Sequence, residues 1–290
     1  MSVEIPVAFV QQYSANVMHL AQQSPSKFRS YVRIKDNLVG KTAFFERIGA
    51  TAAVKRTSRH ADTPLISTPH SRRRVALEDW EWADLVDKQD EVRLLIDPAS
   101  EYVINASKAM NRTVDDLVIA ALGGSAYSID ENDAATAVAL PAAQKVAVGG
   151  TGLTIAKLRT AKRILDAADV EAEDRAIAIS PIGLEDLLAT TEVTSSDFNT
   201  VKALVQGQLD TFLGFKFIVS TRLPFITGTV RAAYAWSKPG MGLAIGKDVQ
   251  HEISVRPDKS YTTQVYFCLT MQATRVEDAR VVEIAFDEAV

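Results

Sequence analysis

Between Asp97-Pro98 and Gly123-Gly124 the sequence commits the chain to one long helix. Asp is a good N-cap, and proline suits the first helical turn. Ala99, Val103, Ala106, Met110, Val114, Leu117 and Ala121 then recur at steps of four or three, and the glycine pair stands in C-cap position. At 1.5 Å per residue the helix 98–122 is about 37 Å long, enough to serve as the spine of a domain. Asn111 and Asp115-Asp116 keep another of its sides wet.

The text around this helix changes character. Residues 1–40 carry short apolar clusters broken by Pro6 and Pro25, which reads as an arm with one helix, docked rather than self-supporting. Residues 41–76 lack helical periodicity and contain Gly49, Pro64 and Pro69 among Thr, Val, Phe and Ile. That suits a long two-stranded excursion with an irregular tip, too polar and basic to own a core. Residues 125–151 are turn-rich, with one strand at 144–148. Helices are expected at 154–168, from Pro181 to Leu188 and at 200–209, and strands at 175–180, 213–221, 234–246, 249–256, 261–275 and 280–286. Strands not regularly spaced by helices point to an α+β chain with a mixed or antiparallel sheet.

Charge is laid out unevenly. From Lys27 to Arg74 twelve basic residues face only Asp36, Glu46 and Asp62, a balance of +9; with −4 over the whole chain, the remainder carries −13. Its densest part follows at once, with Glu78, Asp79, Glu81, Asp84, Asp87 and Asp90 opposed by Lys88. The two blocks can fold onto each other within a subunit, pair head-to-tail between identical copies, or stay as two solvated faces.

Catalytic patterns are sought and not assembled. Gly40-Lys41-Thr42 resembles the end of a phosphate loop, but Lys35 stands where its first glycine belongs. Gly150-Thr151-Gly152 has Ile155 at the third glycine position of a dinucleotide site. His19, His60, His70 and His251 share no metal-ligand spacing, and the single Cys268 sits in an apolar strand. One cysteine excludes an intramolecular disulfide framework, and no apolar run approaches the ~18 residues of a membrane span. No cofactor and no metal are expected. Three readings remain: a self-assembling structural subunit; an α+β enzyme built on Asp115, Asp116 or His251; or a nucleic-acid module using Arg56 to Arg74, whose stretch lacks the aromatic interleaving of a stacking platform.

The order of pieces resembles the major capsid proteins of tailed bacteriophages, the Hong Kong 97-type coat fold. The resemblance covers roughly residues 40–290. It rests on Arg72-Arg73-Arg74-Val75, Trp80-Glu81-Trp82, Asp97-Pro98-Ala99-Ser100-Glu101-Tyr102, and Val114-Asp115-Asp116-Leu117 running to Gly123-Gly124. Further along it rests on Leu153 to Leu158, Ile179-Ser180-Pro181, Val193 to Thr200 and Leu213-Gly214-Phe215-Lys216-Phe217.

The resemblance implies a shell subunit assembling as hexamers and pentamers. It divides the chain into an N-terminal arm (1–43), an extended loop over a neighbour (44–82) and a peripheral domain with the spine helix (83–139). An axial domain (140–245) and strands returning to the peripheral domain (246–290) complete it. Lys55, Arg56, Arg59, Arg72, Arg73 and Arg74 would then meet Glu78, Asp79, Glu81, Asp84 and Asp87 of an adjacent copy. The implied partners are neighbouring subunits, a separate scaffolding protein (the arm being too short to replace one), a portal at one vertex, a decoration protein and packaged double-stranded DNA, with no membrane. The implied location is the virion, and the host cytoplasm before assembly.

Overall fold

A computed structural model describes residues 22, 23, 25–60, 62–86, 98–129, 134–189 and 211–289. In chain order they form β1 (Arg33–Lys35), β2 (Thr42–Ile48), β3 (His70–Ala76), β4 (Glu78–Val86), α1 (Pro98–Gly123), β5 (Ala126–Ile129), β6 (Ala135–Val138) and β7 (Lys145–Val146). These are followed by α2 (Ile155–Ala167), β8 (Arg175–Ile179), α3 (Pro181–Ala189), β9 (Thr211–Phe212), β10 (Phe215–Val219), β11 (Phe225–Thr227) and β12 (Val230–Ser237). The long pair β13 (Met241–Arg256) and β14 (Thr262–Arg275), then β15 (Val281–Asp287), close the chain. The expected helix at 200–209 and the one in the arm lie outside the described residues.

The strands make three sheets: β1-β13-β14-β4, β7-β15-β12-β8-β10-β9 with β11 on β12, and β2-β3-β5-β6. α1 lies across the first sheet. Its apolar stripe of Ala106, Met110, Val114, Leu117, Val118 and Leu122 is buried with Val265, Phe267, Leu269 and Met271 of β14 in one core. Each such side chain taken fully out of water stabilises by about 1.5–3 kcal/mol. The helix stops where its sequence says it should. Gly124 N–H returns to Ala120 O at 2.9 Å, and the Arg275 guanidinium donates to Leu122 O and Gly124 O, two carbonyls left over at the helix end.

The second sheet divides two cores by its period of two. Ala176 and Ala178 of β8 face the α1 core with Tyr234 and Trp236, while Ile177 and Ile179 face α2 and α3 with Leu158, Leu165, Phe215 and Phe286. With both faces covered, β8 runs apolar from Ala176 to Ile179, as a central strand should. Thr154 caps α2 by accepting from Lys157 N–H at 3.4 Å.

Residues 25–35 run as a strap that ties these layers. Phe28 is fully buried and stacks on Trp236 with ring centroids 5.9 Å apart, and Trp236 Nε1 donates to Tyr31 O at 2.9 Å. β1 then adds in parallel to β13.

Four expectations change. Residues 234–246 are not one strand, because Lys238-Pro239-Gly240 forms a 3-10 turn between β12 and β13; proline cannot donate to a ladder. The turn-rich span 125–151 hides the hairpin β5–β6. Glu78 to Trp82 belong to β4, paired with β14, and not to the basic hairpin of β2 and β3. That hairpin also owns a small core of Ala43, Phe45 and Val75 against Ala244 and Val276. Gly242 makes room for it: a Cβ there would stand 2.6 Å from the Phe45 ring.

Candidate functional site

The basic segment has two parts that the structure treats differently. Residues 51–59 are exposed throughout, so Lys55, Arg56 and Arg59 all face solvent, with Arg56 Nε donating to Ser58 O at 2.9 Å. Arg72, Arg73 and Arg74 lie in β3, where alternate side chains point to opposite faces. Arg72 rests over the Phe44 ring at 5.5 Å on one face. Arg73 points the other way and is 2% exposed, donating to Asp278 at 2.6 Å and to Val276 O. Burial lowers its pKa, and Arg47 and Arg275 nearby lower it further against the pull of Asp278. Arg73 therefore does not belong with the residues expected at a neighbour: its charge is engaged inside the subunit.

The acidic segment alternates likewise. β4 is the edge strand of its sheet, with β14 on one side only. Asp79 accepts from Thr270 Oγ1 at 2.6 Å and Glu81 from the Tyr266 hydroxyl at 2.8 Å, which places both on one face. That hydrogen bond to Glu81 also raises the Tyr266 pKa. Glu78 and Asp84 take the opposite positions of the pleat, and Asp87 lies outside the described residues. The hairpin and β4 are in different sheets, and among the described residues no ion pair joins Lys55, Arg56, Arg59, Arg72 or Arg74 to Glu78, Asp79, Glu81 or Asp84. Among the described residues, therefore, the two blocks do not neutralise each other within one subunit.

Sequence reasoning missed the ionic cluster at the root of the hairpin. Arg275, fully buried, donates to Asp278 at 2.5 Å, so one carboxylate serves both Arg73 and Arg275. Arg47 adds a donation to Val276 O at 3.1 Å. The signal was available in part: in a strand with Val75 inward, the residue two before it is inward too.

The enzyme reading finds no assembled site. Asp115 is fully buried as an acceptor for Ser26 Oγ, Lys27 N–H and Phe28 N–H, with Gln23 Nε2 beside them. Asp116 points away to a bidentate pair with Arg222. His251 stacks on Phe267 at 5.6 Å. The loop 149–152 turns its Thr151 and Gly152 carbonyls to the Lys157 ammonium, a cation site closed on itself and opposite in sign to a phosphate cradle. Among the described residues no group of three or more His, Cys, Asp or Glu side chains is placed to hold a metal, and no helix is long and apolar enough to cross a membrane.

Among the described residues, a basic loop between β2 and β3 and the acidic edge strand β4 both stand exposed on this frame. The model of one family, described as phage capsid protein, matches residues 5–288. The chain belongs to the phage capsid protein family. Its role is structural, not enzymatic: it self-associates with other capsid subunits into the shell of a virion.

Solved phage capsids have the same fold. The capsid of cyanophage P-SCSP1u aligns with a TM-score of 0.74 at 16% identity, over 95% of this chain and 92% of that one. The capsid protein of cyanophage Pam1 gives 0.69 at 13% identity, over 99% of both chains. Mycobacterium phage Che8 gives 0.69 at 14% identity, over 100% of this chain and 99% of that one. No curated protein sequence matches.

Proposed function

We propose that this major capsid protein builds an icosahedral shell of hexamers and pentamers in the Hong Kong 97-type arrangement, each copy laying its basic loop on the acidic edge strand of the next. The observation that carries the reading is the separation of charge. Lys55, Arg56 and Arg59 stand exposed on the loop between β2 and β3, whereas Asp79 and Glu81 stand on the edge strand β4 of a different sheet from β2 and β3. A protein that joins copies of itself head-to-tail carries both halves of each contact, and a rotation that closes gives a ring.

Each exposed pair contributes only about 0.2–1 kcal/mol. Repeated around a ring and over a lattice, such contacts hold a shell while letting misplaced subunits leave. In this scheme α1 is the spine of a peripheral domain, with β13 and β14 returning to it, and the second sheet with α2 and α3 forms the axial region. A separate scaffolding protein, a portal at one vertex, a decoration protein and non-specific contacts to packaged double-stranded DNA complete the assembly, which begins in the host cytoplasm.

A charge exchange tests the contact. The triple variant K55E/R56E/R59E should fail to form particles at moderate salt, and adding D79K/E81K should restore them. Particles formed equally well by the triple variant would contradict the pairing.

A further inference from the structure

The hairpin tip carries a second feature that charge does not explain. Residues 63–69, Thr-Pro-Leu-Ile-Ser-Thr-Pro, are uncharged, and Leu65 is 99% exposed with Ile66 beside it half-exposed. A groove of about 470 Å³ opens at the other end of the same sheet. Small apolar side chains from four elements line it, among them Ala76 of β3, Ala121 of α1, Ala135 of β6 and Ala273 of β14, alternating with polar ones that include Arg74, Glu78, Tyr127 and Gln272.

We infer that Leu65 of one copy is an apolar anchor that seats in the Ala76–Ala121–Ala273 groove of the next. The inference rests on the loop-on-neighbour reading and names its anchor. Three observations favour a second copy as the occupant. The tip precedes His70 and the groove begins at Arg74, so β3 carries the tip away from its own groove, and Leu65 is in fact uncovered. Knob and groove therefore meet only between copies, in the head-to-tail sense that closes rings. The groove is also continuous with the acidic edge, since Glu78 both lines it and opens β4. Asp84 stands six residues beyond Glu78 along β4, about 20 Å in extended backbone, and Arg59 stands six residues before Leu65. Seating the leucine thus lays the basic arm along the acidic strand, and the apolar anchor sets the register that weak surface charges alone leave loose.

Cross-linking between tagged copies tests the anchor, in a Cys268→Ser background. One copy carries Leu65→Cys and the other Ala121→Cys, with a short bismaleimide as the probe; a control mixture carries Arg56→Cys and Glu81→Cys. The expected result is a covalent dimer of the two tags in assembled particles from the first mixture. Leu65→Asp, at a position too exposed to affect folding, should keep the parent's melting temperature. It should weaken subunit association about tenfold per contact, the scale of one leucine withdrawn from an apolar site, and Leu65→Met should restore it. Particles that cross-link in the control but not at Leu65, or a Leu65→Asp chain that assembles like its parent, overturn the anchor and leave the charge contact standing. A parent chain that never forms particles overturns both.

Discussion

The carboxylate of Asp115 accepts the backbone N–H of Phe28 at 3.2 Å from a fully buried position in the C-terminal half of α1. Ser26 Oγ at 2.5 Å and Lys27 N–H at 3.0 Å converge on the same group, so one side chain satisfies successive donors of the strap. Replacing it by alanine leaves those donors buried and unpaired, at about 1–3 kcal/mol each less any recovery by water. Asp115→Ala should lower the unfolding free energy by about 3 kcal/mol in urea titration, whereas Asp116→Ala, which loses only the exposed pair with Arg222, should cost under about 1 kcal/mol.

The frame of the protein was legible because its strongest elements announce themselves. Pro98 and Gly123-Gly124 bracket α1 as the spacing predicts, and the short run 175–179, apolar from Ala176 on, emerges as the buried strand β8. Other parts were hidden for physical reasons. Ala126–Ile129 and Ala135–Val138 are only four residues each, too short for an alternating pattern to stand out among turn residues, and β5 is fixed by the edge that β3 offers, with β6 folding back on it. Three consecutive arginines look uniformly wet, yet the pleat sends Arg73 inward to Asp278. Asp115 and Asp116, adjacent on a helix and so about 100° apart, diverge as helix geometry dictates, one to the strap and the other to Arg222, though the sequence does not name those partners.

Asp278 holds two arginines that solvent barely reaches. Arg73 and Arg275 are 2% and 0% exposed, and both are within 2.6 Å of its carboxylate. Removing one partner from such a cluster leaves buried charge uncompensated, at about 3–5 kcal/mol. Asp278→Ala should therefore be among the most destabilising single changes outside the apolar cores, and thermal melting beside the exposed control Asp258→Ala measures it.

Phe28 anchors the strap by area as Asp115 does by hydrogen bonding. Its ring fills the space over Trp236 in the main core. Phe28→Ala should cost about 3–5 kcal/mol, and Phe28→Leu distinctly less because more of the volume is kept. Hydrogen exchange should show the loss first in residues 25–35.

Arg29 and Asp248 join the strap to the long hairpin through two N–O contacts, at 2.5 and 3.0 Å. The hydrogen bond from Arg29 is the main reason the Asp248 carboxyl titrates below its ordinary value of 3.8. A carboxylate depressed in the folded state stabilises the protein above its unfolded pKa, and that contribution disappears as pH falls through the folded value. The urea midpoint should therefore drop between pH 5 and pH 3, and drop less in Arg29→Ala. Carbon NMR titration should show the Asp248 carboxyl moving upward in that variant.

Self-association is the claim on which the account stands, and particles are its direct readout. Electron microscopy with light scattering on the full chain, alone and co-expressed with a scaffolding protein, should show closed shells or rings of six and five subunits. A monodisperse monomer under every condition would contradict it.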